Sequence, residues 1–70
     1  MADITAPMSG KMWKILVSVG DSVAEDDEVA ILEAMKMEIP VVSPGDGTIK
    51  EIKVKEGEAV EAEAVIMILD

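Results

Sequence analysis

The sequence predicts an all-β fold, a small sandwich or barrel built from two copies of one half. Three observations lead there. Val and Ile together number 17 against three Leu, and branching at Cβ stiffens χ1 in a way that suits a pleated surface. Turn signals recur about every ten residues, the spacing of short strands in sandwiches and barrels. The chain also repeats itself. Laying each residue over the one 37 further on, without a gap, gives eight identities in the 28 positions of residues 6–33 against 43–70. Those identities are Pro7/Pro44, Gly10/Gly47, Ile15/Ile52, Val17/Val54, Gly20/Gly57, Val23/Val60, Ile31/Ile68 and Leu32/Leu69. Conservative pairs such as Met12/Ile49, Asp21/Glu58, Val29/Ile66 and Glu33/Asp70 lie between them. Two units of about 30 residues are too small to bury a face alone. They are expected to pack on each other about a pseudo-twofold axis, as one domain over residues 1–70.

Each half is punctuated alike. Residues 1–5 form a short lead-in without linker character, which favours a freestanding chain. Pro7-Met8-Ser9-Gly10 and Pro44-Gly45-Asp46-Gly47 open the halves as turns, and the second is read as needing positive φ. Ile15, Val17 and Val19, and likewise Ile52 and Val54, alternate as a strand with one buried face would. Turns follow at Gly20 and Gly57. One window points the other way. Ser22-Val23-Ala24-Glu25 fits a capping box, and residues 23–38 are rich in Ala, Glu, Met and Leu, with Val29, Leu32 and Met35 three apart. Read alone it is an amphipathic helix ended by Pro40, and periodicity leaves helix and strand open.

Composition removes many functions. The net charge is −9 and all six cations are Lys, a surface that repels phosphate backbones and anionic bilayers. Neither nucleic acid nor membrane is expected as a partner. No apolar run approaches the roughly 18 residues of a spanning helix, and no signal pattern opens the chain, so cytoplasm is the expected compartment. With no Cys and no His, thiol nucleophiles, thiolate zinc sites and imidazole bases are absent. The run Glu25-Asp26-Asp27-Glu28 lacks the offsets of a calcium loop and reads as a solvated acidic turn. The glycines of residues 44–47 lack the Lys-Ser/Thr ending of a phosphate loop. No catalytic residue and no metal site is expected.

What remains is Glu33-Ala34-Met35-Lys36-Met37-Glu38, nearly a mirror about its centre and placed where the halves join. A Schiff-base lysine needs a desolvated site or cationic neighbours, whereas Lys36 lies between Glu33 and Glu38. If the flanking segments pair as a hairpin, Glu33 faces Glu38 and Ala34 faces Met37, leaving Met35-Lys36 as a two-residue turn. Such turns favour Asn-Gly or Asp-Gly, because both central residues take positive φ. Met and Lys there would be strained, and strain of this kind marks functional positions. The bland alternative is ordinary helix composition with a solvated lysine.

The same six residues resemble the attachment motif of biotinyl carrier domains, the biotin carboxyl carrier family within the biotin/lipoyl attachment superfamily. The likeness covers residues 6–70. It includes Ala6-Pro7-Met8-Ser9-Gly10, Val19-Gly20-Asp21-Ser22-Val23, Ser43-Pro44 with Gly47, and Val54-Lys55-Glu56-Gly57. Lipoyl domains usually carry Asp-Lys-Ala at the equivalent place, without paired Met residues. The resemblance implies a flattened β-barrel, or barrel-sandwich hybrid, of two four-stranded halves, with residues 29–34 and 37–42 as the arms of the central hairpin. It implies covalent biotin on Lys36, with Met35 and Met37 flanking and Glu33, Ala34 and Glu38 completing the motif. It further implies a non-catalytic carrier component serving a biotin protein ligase, a biotin carboxylase and a carboxyltransferase. A lipoyl carrier, or a cofactor-free β interaction module, are the alternatives. The chain departs from the family pattern at Asp26 and Glu63, where turn glycines are usual, and it has no room for the thumb insertion of some bacterial carriers. By the repeat, Asp70 is the counterpart of Glu33, so the C-terminus is expected at the end opposite Lys36.

Overall fold

The computed structural model describes residues 2–70, in eight strands with no helix among the described residues. The strands are β1 Ala2–Thr5, β2 Gly10–Ile15, β3 Ser22–Val23, β4 Glu28–Ala34, β5 Met37–Val42, β6 Gly47–Ile52, β7 Ala59–Val60 and β8 Val65–Leu69. They form two four-stranded antiparallel sheets, ordered β1-β8-β6-β3 and β5-β4-β2-β7. The expected all-β architecture with two four-stranded layers is the one found.

A shift of 37 residues carries one sheet onto the other, and the hydrogen bonds follow it. Met12 N–H donates to the Glu58 carbonyl at 2.8 Å, and Ile49 N–H donates to Asp21 at 2.9 Å. Gly57 N–H reaches Met12, and Gly20 N–H reaches Ile49. Glu63 and Asp26 donate to Ala6 and Ser43 in the same way. Every one of these bonds crosses between the halves. The sheets are therefore not the repeats: each takes a two-residue strand from the other half, β7 beside β2 and β3 beside β6. Positive φ also recurs at the 37-residue interval, at Gly20 and Gly57 and at Asp26 and Glu63, the last two at 70° and 68°. Glu63 keeps the left-handed turn although its side chain is poorly suited to it. Its N–H, fixed on Ala6, holds it there.

The core is aliphatic and paired by the same symmetry: Met12 with Ile49, Val29 with Ile66 and Leu32 with Leu69 are all buried. Trp13, the one aromatic, lies outside it at 41% exposure. The buried hydroxyl of Ser43 donates to the Gly45 carbonyl at 2.6 Å, so this polar side chain does not go unsatisfied.

The helical reading of residues 23–38 gives way to strand, as the resemblance implies: β3, β4 and the start of β5 lie there, joined by turns, and the helix-like spacing arises because β4 is bulged at Val29, where its pairing with β5 shifts register. Val29 and Ala30 both face inward, which spaces Val29 and Leu32 three apart, while Met35 is not buried at all. The capping box is also unused. Ser22 is in β3, and Asp27 Oδ2 accepts the Ala24 N–H while Asp46 Oδ1 accepts the Glu25 N–H. Finally, β2 stops at Ile15. Asp21 Oδ2 accepts the Ser18 N–H at 2.8 Å and turns the chain, leaving Val17 against the core and Val19 61% exposed.

The glycines that begin β2 and β6 are required for space rather than for positive φ. A Cβ at Gly10 would sit 2.5 Å from the Glu33 carbonyl oxygen, and one at Gly47 would sit 2.6 Å from that of Asp70. Both obstacles are backbone and cannot rotate away. Gly47→Ala should therefore destabilise the protein by about 1–3 kcal/mol, lowering the melting temperature by roughly 4–8 °C per kcal/mol. Gly45→Ala, with nothing within 4 Å, should leave it unchanged or slightly raised. Thermal denaturation of the two variants checks the contrast.

Candidate functional site

The pairing of β4 with β5 runs to its last rung, Glu33 opposite Glu38 and Ala34 opposite Met37. Only Met35 and Lys36 remain to reverse the chain, at φ 51° and 64°. Positive φ at both central residues is the requirement of a type I′ turn, whose twist matches the strands it joins. For residues with a Cβ, each left-handed position costs roughly 1–2 kcal/mol. The ladder from Glu28 to Ala34 imposes it.

The tip side chains divide by face and by exposure. Ala34 is buried, with its Cβ against the space above Gly10; a larger residue would strike β2. Met35 and Met37 are 86% and 64% exposed, an unusual place for thioethers that would fill core gaps elsewhere. Lys36 is exposed, and among the described residues no carboxylate lies within ion-pair distance of its amine. One step back, Lys11, Glu33 and Glu38 form a row across β2, β4 and β5. All six motif residues thus converge on one hairpin end. Among the described residues no cluster of three or more acidic side chains could hold a metal ion.

The two chain ends occupy the counterpart of this tip. Ala2 pairs with Leu69 and Asp3 with Ile68, the partners that residues 39 and 40 have in Leu32 and Ile31. The twofold therefore carries the hairpin end onto the ends of β8 and β1.

One feature was not anticipated. Toward the middle of the same sheet, Glu28, Ile31, Glu38 and Pro40 line a shallow outward groove of about 220 Å³. Its residues come together only through cross-strand register, Ile31 opposite Pro40 and Glu33 opposite Glu38. Comparing the two halves for changes of polarity, rather than for identities, would have drawn attention to it.

Two packed four-stranded sheets over an aliphatic core, with Lys36 exposed on a strained hairpin end, make a domain that presents a side chain. The chain belongs to the family described as "biotin-requiring enzyme", whose model matches residues 2–69. It is 46% identical over 64 residues to the biotin/lipoyl attachment protein of Bacillus subtilis, covering 91% of this chain and 88% of that one. It is 49% identical over 57 residues to the biotin carboxyl carrier protein of Streptococcus mutans, covering 81% of this chain but 44% of the relative. Among solved structures, the urea carboxylase of Kluyveromyces lactis contains a segment that superposes with TM-score 0.93 at 33% identity, spanning 99% of this chain and 6% of that one.

Replacing the tip by the residues its backbone favours tests the strain. The double variant Met35→Asn, Lys36→Gly should be more stable by about 1–2 kcal/mol. Its melting temperature should rise by several degrees, as read by thermal denaturation.

Proposed function

We propose that this protein is a biotin carboxyl carrier whose attachment point is Lys36. The observation that carries the reading is the solvent-exposed Lys36, whose amine has no ion pair among the described residues, on a left-handed two-residue tip, inside Glu-Ala-Met-Lys-Met-Glu. Membership of the biotin-requiring family and likeness to carrier proteins support it.

In this reading a biotin protein ligase activates the carboxyl group of biotin, and the Lys36 amine displaces the activating group to form an amide, giving up its proton. Once attached, biotin supplies the ureido nitrogen on which a carboxyl group is carried. The chain's own residues do no bond making. The β4–β5 ladder fixes where the arm starts, and the barrel keeps the tip clear of its own surface. Amide formation removes the lysine charge and leaves an apolar stem between Met35 and Met37, which give it a pliable surface. Tethering raises the local concentration of the carried group at both working sites, of a biotin carboxylase and of a carboxyltransferase, beyond what the free cofactor reaches. The protein is thus a non-catalytic component. Lipoate on Lys36 is the second reading, disfavoured by methionine on both sides.

Intact mass of the protein made in its native host tests this directly. The expected product carries one biotinyl group, and Lys36→Arg carries none. A lipoyl mass, or an unmodified chain, would overturn the proposal. Met35→Leu with Met37→Leu should slow ligation or carboxylation by about three-fold or more, given the modest energies of thioether contacts. Unchanged rates in both assays would remove the role given to the two methionines.

A further inference from the structure

The pseudo-twofold provides an internal control for surface residues, since positions 37 apart share one backbone setting. Trp13, Leu16, Pro40 and Val42 are all exposed on or beside β2 and β5. Their counterparts in the other half are Lys50, Lys53, Asp3 and Thr5, likewise exposed. Apolar side chains thus stand on the sheet that bears the tip, and polar ones at the same positions of the sheet that does not. Core packing does not explain the difference, because the inward positions are apolar in both halves.

Register brings the apolar residues into one region of the sheet, with Lys14 and Glu28 among them. Lys14 and Pro40 flank Ile31 across the sheet, Trp13 is the bulged residue beside Lys14, and Val42 is opposite Glu28. The next row toward the tip is Lys11, Glu33 and Glu38, and then Met37. Within this region the groove has an apolar floor, Ile31 and Pro40, and a carboxylate at each end, Glu28 and Glu38. Among the described residues the lysines of this face leave both carboxylates without an ion pair; Lys14 lies over the Trp13 ring at 5.1 Å instead. Such a groove fits an arginine or lysine whose stem lies on the floor and whose head meets a carboxylate.

We propose that the outer face of β5-β4-β2, centred on the Glu28–Ile31–Pro40–Glu38 groove, docks the enzyme domain that carboxylates the arm. This rests on the carrier reading of Lys36. A long flexible arm separates the reacting atom from the carrier, so contacts at the tip cannot orient the body, and a separate surface must. The domain that loads the arm handles a nucleoside triphosphate and bicarbonate, both anions. A domain that binds anions presents cationic side chains around them, and these match the two groove carboxylates, Glu28 and Glu38, that no lysine of this face pairs among the described residues. A second copy of this chain is the weaker fit, because two chains of net charge −9 repel each other. The molecule measures 30 × 19 × 18 Å, so the face buries at most about 600 Å² per partner, below the roughly 800 Å² of a stable complex. That suits a contact made and broken in each cycle.

The test replaces each apolar residue by its twofold counterpart, Trp13→Lys, Leu16→Lys, Pro40→Asp and Val42→Thr, side chains that the other half already carries in this fold. The biotinylated full chain is then assayed with its cognate biotin carboxylase, and the unmodified chain with the ligase. The expected result is a rise of about ten-fold or more in KM for the carrier, with kcat and ligation kinetics within about two-fold of wild type. Glu38→Lys alone should raise the same KM and weaken its dependence on salt. An unchanged KM would overturn the proposal. So would an equal loss in ligation, which assigns the face to the ligase, or a wild-type dimer in sedimentation that the variant abolishes. A wild-type chain that accepts no biotin, seen by intact mass, would remove the carrier reading and this proposal together; an unchanged KM with normal biotinylation removes only the docking surface.

Discussion

Neither half of this chain can close its own layer. Each sheet needs a two-residue strand from the other repeat, β7 beside β2 and β3 beside β6, and backbone N–H groups at Met12, Ile49, Gly20 and Gly57 find acceptors only across that exchange. Buried backbone groups without partners are expensive, so the halves satisfy each other or neither folds. Everything else follows from that reciprocity. The left-handed residues recur in both halves because both must make the same turn. Gly10 and Gly47 recur because the same carbonyl passes close above each.

The hairpin tip is the one strong break in this symmetry. It concentrates backbone strain at two residues with side chains, while the rungs behind it are regular to the last pair. Strain persists only where surrounding structure over-determines it. Here the six-pair ladder does so, and the small buried Ala34 over Gly10 lets the ladder continue to the end. The result is a lysine whose base is held by the ladder and whose side chain is exposed.

Legibility in the sequence followed the range of the interactions. The repeat was plain because Pro, Gly and β-branched residues sit in register, and each reports a local backbone need. Hairpin register was readable from the mirror about Met35-Lys36 alone. The strand identity of residues 28–34 and 37–42 came from the family resemblance and not from periodicity, since the bulge at Val29 breaks the two-residue period and Ala, Glu and Met are helix formers. Gly47 was recognised as necessary but for the wrong reason: its constraint is the Asp70 carbonyl, 23 residues further along the chain. The groove of Glu28, Ile31, Glu38 and Pro40 does not show in a search for identities between the halves. Its members lie on two strands and adjoin only after pairing.

The side-by-side ends of β1 and β8 mean that, geometrically, the fold is a closed ring of strands opened at one of two equivalent positions. At one the ring is continuous through Met35 and Lys36; at the other Ala2 simply faces Leu69. The ring alone does not say which corner should carry a cargo. Where the chain passes round the corner there is a tip, and where it does not there is none. A hairpin tip of this kind is thus a topological outcome as much as a matter of motif, since the β4–β5 turn occupies one of the two equivalent corners.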